Sequence, residues 1–475
     1  MNYKVEKCDF SINKSTSTKD FINTIINIKF RLISSMTFRI SRFVGKGSIG
    51  NVFLLKIIKT ENCDYNDKNK LFVIKISYKN TVSDLTDEYE CIKNNFKKYN
   101  IIHDYYPLFF GEIKELKTVA IILPFLGLYN FDTIKDINFN INFSTNINLI
   151  RQLIRQLKKF NDKNLIHCDL KSANLVIDIK SNLDGTQKIK LSIIDFGLLK
   201  EIDDKENIIS TSYITSPESL LTLSNYDELI YLEDFQEINL LKHDYFGLFS
   251  IIIGLFVKNN YWDIFYNYLV KTCNVSTEYI QSFKAIELFV YVWYKFTHKN
   301  IKEVSNSSLI EIIKYIEKKS PKIKEKVILN YEEFFNTYIV PEINTSILDK
   351  TKFDDLYNFT KEIIHFDYNK RPSLNDLLNH PFLFVNNYDE EELKLIKQEE
   401  DDIKRQEEEL LRKKEEEIIK IECEKMKIED EITIQYNLEK KEIKELNECD
   451  RRMMELIKIQ ELRKLKSKET NESKE

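Results

Sequence analysis

Three polar side chains stand close together in "LIHCDLKSANLVID", residues 165–178: Asp169, Lys171 and Asn174. A carboxylate can take a proton from a hydroxyl, a nearby ammonium can neutralise a transferring phosphoryl group, and an amide oxygen can ligate a metal ion. Twenty-one residues after Asn174, "IIDFGLLK" ends an apolar run on Asp195, a hard oxygen ligand suited to Mg²⁺. Upstream, "VGKGSIGNV" sets Gly45, Gly47, Gly50 and Val52 in G-x-G-x-x-G-x-V spacing. Glycines let a turn come close to phosphates and aim main-chain N–H groups at their charge. Val44, Gly45, Lys46, Gly47, Ser48, Ile49, Gly50, Asn51 and Val52 therefore form a candidate phosphate cradle.

Glycine patterns also mark dinucleotide sites, but those want an acidic residue about 20 positions on. Here "LFVIKI" brings a lysine instead, Lys75, and the chain has only 9 glycines to make such a pattern by accident. An unpaired ammonium is costly inside an apolar strand. Lys75 either snorkels outward from an edge strand or is held by a carboxylate and aimed at phosphates. "LTDEYECIKNNF" offers Glu88 and Glu90. Leu85 and Ile92 share a helical face with Glu88, which makes it the preferred partner.

The elements that must position these groups fall into a β-rich front and an α-rich back. Short β-branched runs ("NVFLLKII", "LFVIKISY", "VAIILPF") read as strands, and helical periodicity dominates after about residue 145. Residues 1–37 form a Ser/Thr/Asn-rich extension without a motif, 38–384 read as globular, and 388–475 as a charged tail. The tail holds 29 acidic and 21 basic side chains, a local net of −8, and leaves +3 on the preceding residues. That balance does not indicate a nucleic-acid binder. Glu400/Lys404, Glu408/Arg412, Glu409/Lys413 and Glu416/Lys420 have the spacing that supports an exposed helix. Ile396, Ile403 and Leu410 repeat every seven residues, but one apolar position per heptad makes a poor coiled coil. A solvated long helix is preferred, with self-association or a coiled-coil partner through 388–475 next and disorder last.

Seven scattered cysteines without a C-x-x-C pair argue against a disulfide framework or zinc site and for a reducing compartment. The longest apolar run, Tyr245 to Val257, spans 13 residues, too short for a bilayer and suited to a buried helix. No membrane association and an intracellular location, cytoplasmic or nuclear, are the expectation.

Taken in order, these motifs resemble the eukaryotic protein kinase family. The resemblance runs through the Gly-rich loop, the strand lysine, H-C-D-L-K-S-A-N and D-F-G. It continues through "TSPE" (Ser216, Pro217, Glu218) in place of A-P-E, Asp244 in "HDYFGLF" and Arg371 in "DYNKRPS". It implies an α+β, bilobal fold, with a β-rich N-lobe and a helical C-lobe, to which the tail adds a long charged C-terminal helix. It implies ATP and Mg²⁺ between the lobes, the metal held by Asn174 and Asp195. Val44, Val52, Val73 and Val176 would sandwich the adenine, with Leu123 as gatekeeper and Leu126 supplying main-chain hydrogen bonds. Asp169 would be the catalytic base, Asp244 the anchor of its loop, and Arg371 the partner of Glu218. D-L-K-x-x-N with Lys171, and Thr211 seven residues before Glu218, resemble the Ser/Thr members, so protein Ser/Thr hydroxyls are the expected substrates. H-C-D-L-K with S-P-E also resembles the DYRK-like branch of the CMGC kinases, although no P-E follows Lys171. A pseudokinase scaffold acting through the tail is the alternative.

Three features depart from a minimal kinase. "KTENCDYNDKNK" reads as a long hairpin loop, and "KSNLDGTQK" lengthens a strand pair. Residues 259–350 add aromatic-rich helical material, better read as C-lobe packing than as a docking site. Cys168 replaces the arginine that pairs with an activation-segment phosphate, and cysteine cannot make that clamp. Residues 198–210 already carry acids, so activity without phosphorylation there is expected. A small packed Cys168 is preferred over a redox sensor.

Overall fold

The computed structural model describes residues 7–12, 22–29, 35–61, 71–99, 109–113, 116–127, 129–131, 142–181, 187–202, 211, 214–222, 240–282 and 284–384. In the tail it describes 412, 438, 444, 447–461, 463 and 464. The chain forms two compact units, 1–385 and 386–475.

The front of the first unit is a closed barrel of seven strands: β1 (Lys7–Ile12), β2 (Ile25–Lys29), β3 (Ser35–Lys46), β4 (Gly50–Glu61), β5 (Leu71–Ser77), β6 (Phe109–Ile113) and β7 (Thr118–Pro124). Their order is β1-β2-β3-β4-β5-β7-β6, and a parallel pairing of β1 with β6 closes the ring. Two of these strands come from the stretch that carries no motif in the sequence. Period-2 alternation gives each strand two faces. On β5, Phe72, Ile74 and Ile76 enter the barrel core with Ile26, Phe38 and Ile122, while Val73 and Lys75 face the other way. Helix α1 (Val82–Tyr99) covers that other face, where Tyr89 stacks on Phe110 with ring centroids 4.2 Å apart. The hairpin joining antiparallel β4 and β5 crosses 62–70, outside the described residues.

The back is helical. Helix α2 (Phe143–Asn161) starts at Asn142, whose side chain accepts from Thr145 N, and buries Leu149, Leu153 and Leu157. The short strands β8 (Tyr129–Asn130), β9 (Leu165–Ile166), β10 (Leu175–Ser181), β11 (Gln187–Ile193) and β12 (Lys200–Glu201) frame the loops that carry the polar motifs. Helix α3 (Tyr245–Phe256) is the apolar run seen in the sequence, buried at every residue but Gly254. Among the described residues no helix is long and apolar enough to cross a membrane.

Around α3 pack α4 (Tyr261–Lys271), α5 (Ala285–Thr297), α6 (Ser307–Lys319) and α7 (Phe353–Ile363). The aromatics of the 259–350 stretch turn inward: Trp293 is fully buried, stacked on Phe265 at 5.3 Å and tilted against Phe246 at 4.9 Å. Beneath the S-P-E turn lies a buried ion pair. Arg371 reaches Glu218 through both terminal nitrogens, at 2.5 and 2.9 Å, and its guanidinium sits 4.8 Å from the Phe246 ring centroid. Its Nε donates to His365 O at 2.7 Å, so the charge is satisfied on every side.

In the second unit, 447–461 form a helix whose side chains, Met453, Met454 and Leu456 among them, are exposed. Arg452 meets Glu448 at 3.4 Å, one helical turn apart. The heptad positions Ile396, Ile403 and Leu410 lie outside the described residues, as do Glu400/Lys404, Glu409/Lys413, Glu416/Lys420 and the Glu408 of the remaining spaced pair.

Two outcomes follow from this packing. Ile26→Ala, in β2 of the barrel, should destabilise the first unit by about 2–5 kcal/mol in denaturant unfolding. Arg371→Ala, which strands a buried carboxylate, should cost about 3–5 kcal/mol by the same measurement.

Candidate active site

Strand register builds the upper wall. Residues directly opposite one another in antiparallel strands share a face. Val52 pairs with Lys75, and Val73 with Leu123, so these four side chains line one surface of the sheet. Val44 lies at an irregularity between Phe43 and Gly45 and is exposed. Leu126 follows β7 and is half-buried, and Val176 rises half-buried from β10.

The turn between β3 and β4 carries the glycines for two different reasons. A Cβ on Gly50 would stand 2.1 Å from Ile76 O, so β5 can approach only a glycine there. Gly45 and Gly47 meet no such obstacle and leave the turn itself open. The turn is tied down from the β5–α1 side. Tyr78 N donates to Ile49 O at 3.0 Å, Thr81 Oγ1 bonds the same carbonyl, and Tyr78 OH lies 3.2 Å from Gly47 O and 3.3 Å from Asn51 Oδ1. Lys46 Nζ stands 5.8 Å from the Tyr78 ring centroid, and Ser48 is exposed at the tip. Nothing in the sequence motif singles out Tyr78 or Thr81.

Of the two acidic candidates on α1, Glu88 turns inward and meets Lys75 Nζ at 2.6 Å, while Glu90 stays outside with Lys93 at 3.0 Å. Asp195 Oδ1 lies 3.8 Å from the same ammonium. Burial by itself would pull Lys75 down, but the Glu88 and Asp195 carboxylates outweigh it and hold its pKa above the ordinary lysine value. Burial also pushes Glu88 toward its neutral form. The close contact at Nζ favours the ion pair, and we take Lys75 as charged.

The catalytic-loop candidates converge. Asp169 Oδ1 accepts from Thr211 Oγ1 at 2.7 Å, and its Oδ2 lies 2.7 Å from Lys171 Nζ. Lys171 Nζ also donates to Thr211 Oγ1 at 3.2 Å. Asn174 Nδ2 donates to Asp169 O at 2.8 Å and to Oδ2 at 3.1 Å, which turns its amide oxygen away from the base. The loop is anchored from behind: Asp244 takes the N–H groups of His167 at 2.8 Å and of Cys168 at 3.0 Å. His167 accepts from Asp169 N at 3.3 Å, which leaves its Nε2–H to donate to Ile194 O at 3.2 Å. Cys91 Sγ, on α1, lies 3.1 Å from Leu199 O and so ties that helix to the segment after Asp195.

Cys168 is buried against Ile166 and Leu240, and burial together with the Asp244 carboxylate pushes its thiol far up. It is a packed side chain, not a poised thiolate. The acidic stretch between Glu201 and Thr211 falls mostly on 203–210, outside the described residues.

Among the described residues no three carboxylate, histidine or cysteine side chains gather as a ready-made metal cage. Mg²⁺ does not need one, since it is held by one or two protein oxygens plus phosphates and water. The Asn174 amide oxygen and the half-exposed Asp195 carboxylate are the candidate pair.

No curated protein matches the chain. Residues 38–383 match the model of the protein kinase domain, a span that takes in the glycine-rich turn, the helical back and the Glu218–Arg371 pair. The chain belongs to the protein kinase family.

Proposed function

We propose that the chain is an ATP-dependent protein kinase that transfers a phosphoryl group from Mg-ATP to Ser/Thr hydroxyls of proteins. The observation that carries this reading is the shared hydrogen-bonding of Asp169, Lys171, Thr211 and Asn174 around one carboxylate. Asp169 is placed to orient a hydroxyl nucleophile and take its proton. Lys171 is placed to neutralise charge as the oxygen attacks, and Thr211 fixes the carboxylate from the substrate side. Lys75, charged and held by Glu88, is the cation for the phosphates of the nucleotide. Gly45, Lys46, Gly47, Ser48, Ile49, Gly50 and Asn51 form the turn over them. Val44, Val52, Val73 and Val176 form the apolar sleeve for a base, closed by Leu123 and met by the main chain of Leu126. Asn174 and Asp195 would hold Mg²⁺, which when bound supplies charge neutralisation on the phosphate oxygens.

The Ser/Thr assignment rests on Lys171 and Thr211, which both bond Asp169. The contacts of Lys75 with both Glu88 and Asp195 support the enzyme reading over the alternative of a scaffold without activity.

Purified protein with Mg-ATP should phosphorylate a generic Ser/Thr substrate protein, and Asp169→Asn should lower kcat by about 10²–10⁴. Equal activity in the two proteins would leave only the scaffold. With Cys168 in place of a basic residue, phosphatase treatment should leave activity unchanged; a large loss would show that segment phosphorylation is needed after all.

A further inference from the structure

The S-P-E segment is joined to the catalytic loop by a side chain that takes no part in the chemistry above. His243 is buried next to Asp244. Its Nδ1 lies 3.0 Å from Ser216 Oγ and also bonds Ser219 Oγ, and the two hydroxyls are 2.7 Å apart. The next residue, Asp244, accepts the N–H groups of His167 and Cys168 in the catalytic loop, so the serines meet the chain directly beside the loop's anchor. Burial holds the histidine below its ordinary pKa, against the pull of Asp244 and Glu218, and favours the neutral ring. A neutral imidazole can accept from a serine hydroxyl.

Ser216, Ser219 and Cys168 are themselves buried, so nothing at this contact is exchanged with water at no cost. Glu218, between the two serines, goes the opposite way to Arg371. The segment is thus held from two sides, by an ion pair toward Arg371 and by neutral hydrogen bonds to His243. The second tie ends beside Asp244, whose carboxylate holds Cys168, the residue that stands where a phosphate-binding arginine would be.

We propose that His243 is a positioning residue: its bonds to Ser216 and Ser219 dock the S-P-E segment beside Asp244, the anchor of the catalytic loop, and supply the order that a phosphate clamp at position 168 would otherwise give. This rests on the kinase reading for its consequence in catalysis, though not for the docking itself.

The test uses the full chain in three variants. Ser216→Ala/Ser219→Ala cuts the serine end and keeps the ring. His243→Leu removes the ring that the serines meet, and His243→Gln offers an amide in its place. Hydrogen exchange at 214–222 should rise about tenfold or more in the first two variants, as expected for a lost buried hydrogen bond, with α2 unchanged. The substrate-protein KM should rise, or kcat fall, by a similar factor while the KM for ATP stays put, and His243→Gln should restore most of both. Wild-type exchange at 214–222 in the serine variant would overturn the proposal, as would a loss of protection spread equally through α2. If the exchange result holds but the wild-type protein phosphorylates nothing, the kinase reading fails and the docking role stands.

Discussion

One buried carboxylate sets the geometry of the catalytic loop. Asp244 accepts the N–H groups of both His167 and Cys168, and between them the chain turns through a left-handed conformation at Cys168, φ 66°. Such a conformation costs a non-glycine residue on the order of 1–3 kcal/mol and persists only when its surroundings over-determine it. The turn is what aims Asp169 at Lys171, Thr211 and Asn174. Asp244 can do this because it stands at the head of α3, the most buried helix of the fold. One turn further on, a Cβ at Gly247 would stand 2.1 Å from Leu170 O, so only glycine lets α3 lie this close to the loop. The loop is therefore pressed against a rigid base and pinned to it by its main chain, which leaves its side chains free for chemistry.

The same economy appears in the sheet. A strand has two faces, and β5 uses one for the barrel core and the other for Val73 and Lys75. Closing the barrel with β1 and β2 buries the far face completely, so the near face is held by a packed core instead of a half-solvated sheet. Helix α1 joins both sides of the cleft: it presents Glu88 to Lys75, Cys91 to the Leu199 carbonyl, and its preceding turn to the glycine-rich turn through Tyr78 and Thr81. Displacing α1 would disturb all three together.

Much of the site was legible because its signals are local. Helical periodicity across Leu85, Glu88 and Ile92 separated Glu88 from Glu90 before any fold was known, and the structure puts the two on opposite sides of α1. The apolar run at α3 read as a buried helix from its length and composition alone. The closing strands were not legible: "KCDFSI" and "IINIK" are short, and their pairing with β6 and β3 joins residues about a hundred and about ten positions apart, respectively. Tyr78 and His243 stayed hidden for a related reason. Each flanks a motif, and what each does depends on which group lies opposite it in space: the Ile49 and Gly47 carbonyls for Tyr78, the Ser216 and Ser219 hydroxyls for His243.

The sequence by itself determined the chemical inventory: which carboxylates, ammonium groups and glycines are present, in what order, and that Cys168 cannot bind a phosphate. Those are properties of residue type and spacing, set by covalent structure and local periodicity. The tertiary structure alone brought Ser216 to His243, 27 positions apart in the chain, in the turn that leads into α3. It also decided that Gly50 is required by the approach of Ile76, a steric fact that no glycine pattern states. Long-range contacts are made by packing, and packing is what a linear pattern does not contain.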